Sequence, residues 1–181
     1  MSGAVARRYA KALFALAKDG AALQPTADQL ARVAAVASDA TLGPVLRSPL
    51  LSPARRHELA QMLARELTLS DLLARFLQLL ADHQRLGALP AIADRYQQLL
   101  DNELGRVRLT VRSARALDAR QEADLVAVFA KLTGKQVISR IVVDPDILGG
   151  VVIEVEGKVY DGSVRTQLDR LAKELSGAAS L

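Results

Sequence analysis

Apolar residues recur every three or four positions through the first 104 residues, which is the spacing of amphipathic α-helices. Short stretches containing Gly, Pro or Ser separate six such segments. The first three are predicted at 3–19, with Gly20 as its C-cap, at 25–39 and at 42–47; the others open at Ser52-Pro53, at Ser70 and at Pro90. The pattern predicts a six-helix bundle over residues 1–104.

The period changes after Gly105. Residues 106–112 alternate between apolar and polar side chains, and the alternation places Val107, Leu109 and Val111 on one face. This is the pattern of a half-buried strand. We therefore predict that a second domain, over residues 105–181, begins here.

The rest of this domain mixes helix and strand. Asp118 and Gln121 have the spacing of a capping box, and they predict a helix that ends at Gly134. Strands are predicted at 136–143, 151–155 and 158–160, the last two as a hairpin. Ser163 begins a final helix with apolar positions at Val164, Leu168, Leu171 and Leu175. The predicted fold class is α+β, with an N-terminal six-helix bundle and a small C-terminal mixed α/β domain.

Composition excludes several kinds of catalytic site. The chain has 181 residues, half of them apolar, and no cysteine, which excludes disulfides, thiol nucleophiles and Cys-ligated metals. The two histidines, His57 and His83, have no second ligand at metal-binding spacing. No catalytic residue, cofactor site or metal site is predicted.

The net charge of +4 does not mark a nucleic-acid-binding protein. Residues 1–105 and residues 106–181 each carry 12 basic and 10 acidic side chains, with both signs interspersed. Only six residues are aromatic, and they fall at core-like positions, which argues against base stacking. Four arginines could still bind an acidic partner or, equally, form a solvated strand face: Arg106, Arg108, Arg112 and Arg115.

Two polar clusters near the C-terminus have structural interpretations. Gly149-Gly150 precedes a strand rather than a helix, so a tight backbone approach is favoured over a phosphate-binding loop. Asp144 and Asp146 flank a turn, where aspartate commonly accepts hydrogen bonds from backbone N–H groups. Neither cluster predicts an active site.

Two helices offer surface for a partner. The fifth carries more leucine than one packed face uses, and the first has a side of small residues that lets another helix approach. A groove between them could bind an amphipathic helix. Periodicity alone favours ordinary bundle core.

Targeting signals are not apparent. No stretch approaches the ~20 apolar residues of a membrane-spanning helix. The opening residues lack the apolar run of a secretory signal, and we expect a cytoplasmic protein.

Several blocks resemble one family, the delta subunit of F-type ATP synthases, which corresponds to the mitochondrial oligomycin-sensitivity-conferring protein. The resemblance lies in residues 6–14 (ARRYAKALF), 48–50, 76–80 and 84–90. It is strongest at 144–151 (DPDILGGV) and 160–165 (YDGSVR). The motif residues in these last two blocks are Asp144, Gly149, Gly150, Asp161, Gly162, Ser163 and Arg165.

The resemblance implies a non-catalytic stator subunit, present once per complex, at the cytoplasmic face of the bacterial membrane. It implies that the helical domain binds the N-terminal helix of an alpha subunit and that the C-terminal domain binds the C-terminal end of the paired b subunits. It implies neither nucleic-acid binding nor membrane insertion. The alpha contact is expected between helices one and five, at Tyr9, Ala12, Leu13, Leu16, Leu73, Leu77, Leu80 and His83. His83 departs from the family, which usually has Asn there.

Overall fold

The computed structural model describes residues 3–48, 50–155 and 157–168. The chain divides into two compact units, Met1–Leu100 and Asp101–Leu181. The boundary falls inside the last helix of the bundle, shortly before residue 104.

The first unit is helical. Its α-helices are α1 (Gly3–Asp19), α2 (Leu23–Ser38), α3 (Leu42–Arg47), α4 (Pro53–Glu66), α5 (Asp71–Asp82) and α6 (Leu89–Glu103), the last continuing into the second unit. A 3-10 turn, Leu86–Ala88, precedes α6. The six predicted helices are confirmed in number and order.

Helix ends differ from the sequence prediction in small ways. Helix α2 begins two residues before Pro25, because a proline within the first turn lacks only an N–H that has no intrahelical partner anyway. Helix α1 ends at Asp19 as predicted, but the left-handed residue that follows is Ala21 (φ 50°), not Gly20.

The predicted caps are partly confirmed. The Ser52 hydroxyl accepts a hydrogen bond from the Arg55 amide at 3.3 Å. Ser70 occupies the N-cap position of α5, yet its side chain makes no capping hydrogen bond. Instead its amide donates to the side chain of Gln29 at 2.8 Å.

The core of the first unit is built mainly from leucine and alanine. Leu13, Leu73, Leu77 and Leu80 are each no more than 1% exposed. The buried Tyr96 ring packs edge-on against Phe14 at 5.5 Å between centroids. All six helices contribute residues to one continuous apolar core.

The second unit has a four-stranded sheet in the order β2-β1-β3-β4. Its strands are β1 (Arg106–Ser113), β2 (Gln136–Val143), β3 (Val151–Val155) and β4 (Lys158–Asp161), and α7 (Ala119–Thr133) joins β1 to β2. Strand β1 is parallel to β2 and antiparallel to β3. Helix α7 supplies the crossover that a parallel pair requires.

Helix α7 begins and ends as predicted. Asp118 and Gln121 form a reciprocal capping box, and Gly134 ends the helix in the left-handed conformation at φ 67°. Its buried face is narrow. Phe129 packs on the sheet, whereas Val128 and Leu132 are 59% and 68% exposed, because the small sheet covers only part of the helix.

The alternating strand is oriented as predicted. Val107, Leu109 and Val111 are buried against α7, together with Ile153 and Val155 of β3. Residues 164–168 are helical, in agreement with a final helix after Ser163. The predicted apolar positions Leu171 and Leu175 lie outside the described residues.

Candidate partner-binding surfaces

Tyr9 lies where α1 meets α5. Its ring packs edge-on against Phe76, at 6.2 Å between centroids, and lies 6.5 Å from the ring of His83. The guanidinium of Arg85 donates to the Tyr9 hydroxyl at 3.1 Å, and the guanidinium carbons of Arg8 and Arg85 lie 5.6 and 5.5 Å from its ring centroid. These contacts hold the aromatic ring in one position.

From this contact, a stripe of residues at helical spacing continues along each of the two helices. Ala12 and Leu16 follow Tyr9 at helical spacing, and Leu16 is 57% exposed. Leu79 on α5 and His83 at its C-cap follow Phe76 at the same spacing, and Leu79 is 44% exposed. We call this set the Tyr9 surface: Tyr9, Ala12, Leu16, Phe76, Leu79 and His83.

The predicted alpha-contact residues fall into two groups. Leu13, Leu73, Leu77 and Leu80 fill the core of the bundle, so their side chains cannot touch a partner unless the bundle rearranges. Tyr9, Ala12, Leu16 and His83 lie on the Tyr9 surface.

Phe76 and Leu79 lie on the Tyr9 surface but are not among the predicted contact residues. The signal that could have found them is their spacing to His83, which repeats the spacing of Tyr9, Ala12 and Leu16. Choosing the leucines by hydrophobicity alone selected the core stripe instead of the stripe beside it.

The two C-terminal motif blocks pack directly on each other. A Cβ on Gly150, whose φ is 81°, would lie 2.4 Å from the carbonyl oxygen of Gly162. The Gly162 amide donates to the Val151 carbonyl at 3.0 Å, and the Val164 amide donates to the Gly149 carbonyl at 2.9 Å. Gly149 and Gly150 therefore allow the backbones of the two motif blocks to approach closely, which is the interpretation favoured from the sequence.

Asp161 organises the turn into the last helical residues. Its carboxylate accepts hydrogen bonds from the Ser163 amide at 2.9 Å and from the Thr166 hydroxyl at 2.8 Å. These bonds, led by that from the Ser163 amide, lower the pKa of Asp161. Arg165, in the same motif, is exposed.

The arginines of β1 have acceptors within their own unit. Arg112 pairs with Asp144, and this hydrogen bond is the main cause that lowers the pKa of Asp144. Arg108 donates two hydrogen bonds to Asp101, and Arg106 donates one to the Gln136 side chain. Carboxylates thus partly neutralise Arg108 and Arg112, which weakens the attraction of this strand face for phosphate.

No constellation for metal or nucleophilic chemistry is found in the described part of the chain. Within it, no group of three or more His, Asp or Glu side chains could hold a metal ion. His57 Nε2 lies 2.8 Å from the Asp82 carboxylate, an exposed pair between α4 and α5. Among residues 3–48, 50–155 and 157–168, no helix has the length and apolar character needed to cross a membrane.

Comparison with known proteins identifies the family. A family model described as ATP synthase delta (OSCP) subunit matches residues 5–175. The chain belongs to this family. The ATP synthase subunit delta of Anaeromyxobacter dehalogenans (strain 2CP-1) is 41% identical over 176 residues, covering 97% of this chain and 98% of the relative. That of Citrifermentans bemidjiense is 36% identical over 171 residues, covering 94% and 95%.

A solved structure agrees at the level of the fold. A chain of the Toxoplasma gondii mitochondrial ATP synthase hexamer superimposes with a TM-score of 0.72 at 21% identity, covering 94% of this chain and 96% of that one. The α+β fold and the family resemblance are therefore both confirmed. As a member of the delta family, the chain is a component of ATP synthase.

Proposed function

We propose that this delta subunit is a non-catalytic stator link of an F-type ATP synthase. Its N-terminal unit binds the N-terminal helix of an alpha subunit in the catalytic head, and its C-terminal unit binds the C-terminal end of the paired b subunits. One copy per complex holds the head still while the rotor turns, so that proton flow drives ATP synthesis. The Tyr9 surface carries this proposal.

The Tyr9 surface has the properties of a docking site for an amphipathic helix. Leu16 on α1 and Leu79 on α5 leave apolar area exposed on the two helices that meet at the Tyr9 ring, and that ring is fixed by its neighbours. Fully covering a leucine contributes about 1.5–3 kcal/mol, less the cost of association. Two such leucines beside Tyr9 and Phe76 give a partner helix apolar anchors at helical spacing.

The C-terminal unit has exposed apolar side chains of its own. Val128 and Leu132 lie one turn apart on α7, and Val159 of β4 is 63% exposed. These residues support a contact with the b subunits. That contact would hold the protein at the cytoplasmic face of the bacterial membrane without insertion into the bilayer.

Two binding ends strengthen each other. When one end dissociates, the other keeps it at a high effective concentration, so rebinding is fast. A link of this kind needs slow dissociation rather than chemistry, and we propose that it has no active site or cofactor of its own.

A matched pair of variants tests the alpha contact. Leu16→Asp and Met62→Asp both replace a side chain that is more than half exposed and lies near the end of its helix. Met62 is on α4, outside the Tyr9 surface. Leu16→Asp should weaken binding of the full-length protein to an alpha-subunit N-terminal peptide by about tenfold or more, because a buried carboxylate has no partner there. Met62→Asp should bind like wild type.

Reconstitution tests the coupling role. Wild-type protein added to stripped membranes and catalytic heads should restore proton-driven ATP synthesis, and Leu16→Asp should restore less at equal concentration. Equal peptide affinity for both variants, or full coupling without the protein, would contradict the proposal.

A further inference from the structure

A cavity of about 790 Å³ opens in the N-terminal unit beside Tyr9. Val5 and Ala6, in the first turns of α1, form one wall, and Arg47 and Arg85 are also among the lining residues. Neither Asp nor Glu occurs among the lining residues. A cavity that gathers positive charge without its own carboxylate favours an anion.

Glycines leave room for Arg47 at the cavity wall. A Cβ on Gly87 would lie 2.5 Å from the Cγ atom of Arg47. A Cβ on Gly43 would lie 3.1 Å from one of its terminal nitrogens. Larger residues at these two positions would displace the Arg47 side chain, so its placement depends on both.

Arg85 connects the cavity to the Tyr9 surface. It lines the cavity while its guanidinium donates to the Tyr9 hydroxyl. Val5 and Ala6, which also line the cavity, precede Tyr9 by about one turn of α1, so the cavity adjoins the α1 end of the Tyr9 surface. Within the described residues, neither Arg47 nor Arg85 forms an ion pair with a carboxylate.

We infer that the cavity binds the carboxylate of an acidic side chain on the partner helix that docks on the Tyr9 surface. This inference rests on the proposed function. A guanidinium forms two parallel hydrogen bonds with a carboxylate, which fixes direction as well as position. The acidic side chain thus sets the orientation of the partner, with that residue beside the start of α1.

The test measures anisotropy of a labelled alpha-subunit N-terminal peptide with full-length protein at about 50 mM and about 500 mM salt. Arg47→Gln should weaken binding about tenfold at the lower salt concentration. Arg47→Lys keeps the charge and should lose less. Arg32→Gln, on the exposed side of α2, is the matched control and should leave affinity unchanged.

Peptides in which each Asp or Glu is replaced singly by Asn or Gln identify the bound carboxylate. One replacement should weaken binding to wild type yet have little effect on Arg47→Gln, because both changes remove the same interaction. Binding that is equal for wild type and Arg47→Gln overturns the inference while leaving the proposed function intact. A peptide that fails to bind wild type overturns both. Citrate binding to wild type and to Arg47→Gln is measured as well. If citrate binding requires Arg47 while peptide affinity does not, the cavity binds a free small anion, and this result also overturns the inference.

Discussion

Replacing Gly150 by alanine should specifically destabilise the C-terminal unit. Alanine at a left-handed backbone position costs about 1 kcal/mol. The added Cβ would also meet the Gly162 carbonyl at 2.4 Å, so the two motif blocks must separate. Separation weakens the hydrogen bonds from Gly162 to Val151 and from Val164 to Gly149, each contributing about 1 kcal/mol. We expect a total loss of about 3 kcal/mol.

Gly157 provides the matched control. Its φ of 78° is nearly that of Gly150, but a Cβ there would meet nothing within 4 Å. Gly157→Ala should therefore cost only about 1 kcal/mol. Native-state hydrogen exchange of the Leu109 amide, in the central strand, reports the free energy of opening this unit. Equal losses for the two variants would refute the argument that contact between the blocks requires glycine.

Three further predictions concern burial, pH and capping. Leu77→Ala should lower the free energy of unfolding in urea by about 3 kcal/mol. Leu79 is half exposed on the same helix, so Leu79→Ala should lower it by less than about 1 kcal/mol, and similar losses for the two variants would contradict the assigned core. The pair with Arg112 lowers the pKa of Asp144, so this pair stabilises the fold above the normal carboxylate pKa, and its contribution is lost as the pH falls through the lowered pKa. Arg112→Gln should therefore reduce the loss of unfolding free energy at acid pH. An unchanged dependence of the unfolding free energy on pH would contradict this assignment. Ser52→Ala should lower the free energy of unfolding by about 1 kcal/mol, and an unchanged value would show that the cap hydrogen bond contributes little to stability.

Much of the fold could be predicted from local patterns. The alternation in β1 and the capping box of α7 each depend on residues close in sequence, and both are confirmed. Ser70 shows the limit of such reasoning. Serine is a residue type that favours the N-cap, but the side chain makes no capping bond, and the Ser70 amide donates instead to the side chain of Gln29. Gln29 is distant in sequence, so no local pattern predicts this bond.

The candidate site was predicted less completely, for a geometric reason. Periodicity identifies an apolar stripe on α5 but not which part of that stripe neighbouring helices cover. Leu77 and Leu79 are equally hydrophobic, yet one is buried and the other half exposed. The ring contacts of Tyr9 with Phe76 and His83 show which edge of α5 faces α1.

The central position of β1 has a consequence during synthesis on the ribosome. Strand β1 is made before both of its neighbours, and about 40 further residues must be added before β3 is finished, which takes several seconds at roughly 5–20 residues per second. Until β2 is complete, neither edge of β1 has a partner within the sheet, and the edge that pairs with β3 stays unpaired until β3 is finished. Arg106, Arg108 and Arg112 give the nascent strand a positively charged side, and charged side chains discourage pairing with other unfinished chains. Two of these arginines, Arg108 and Arg112, pair with carboxylates once the unit has folded, so the same charges are expected to discourage aggregation before folding and to form ion pairs after it.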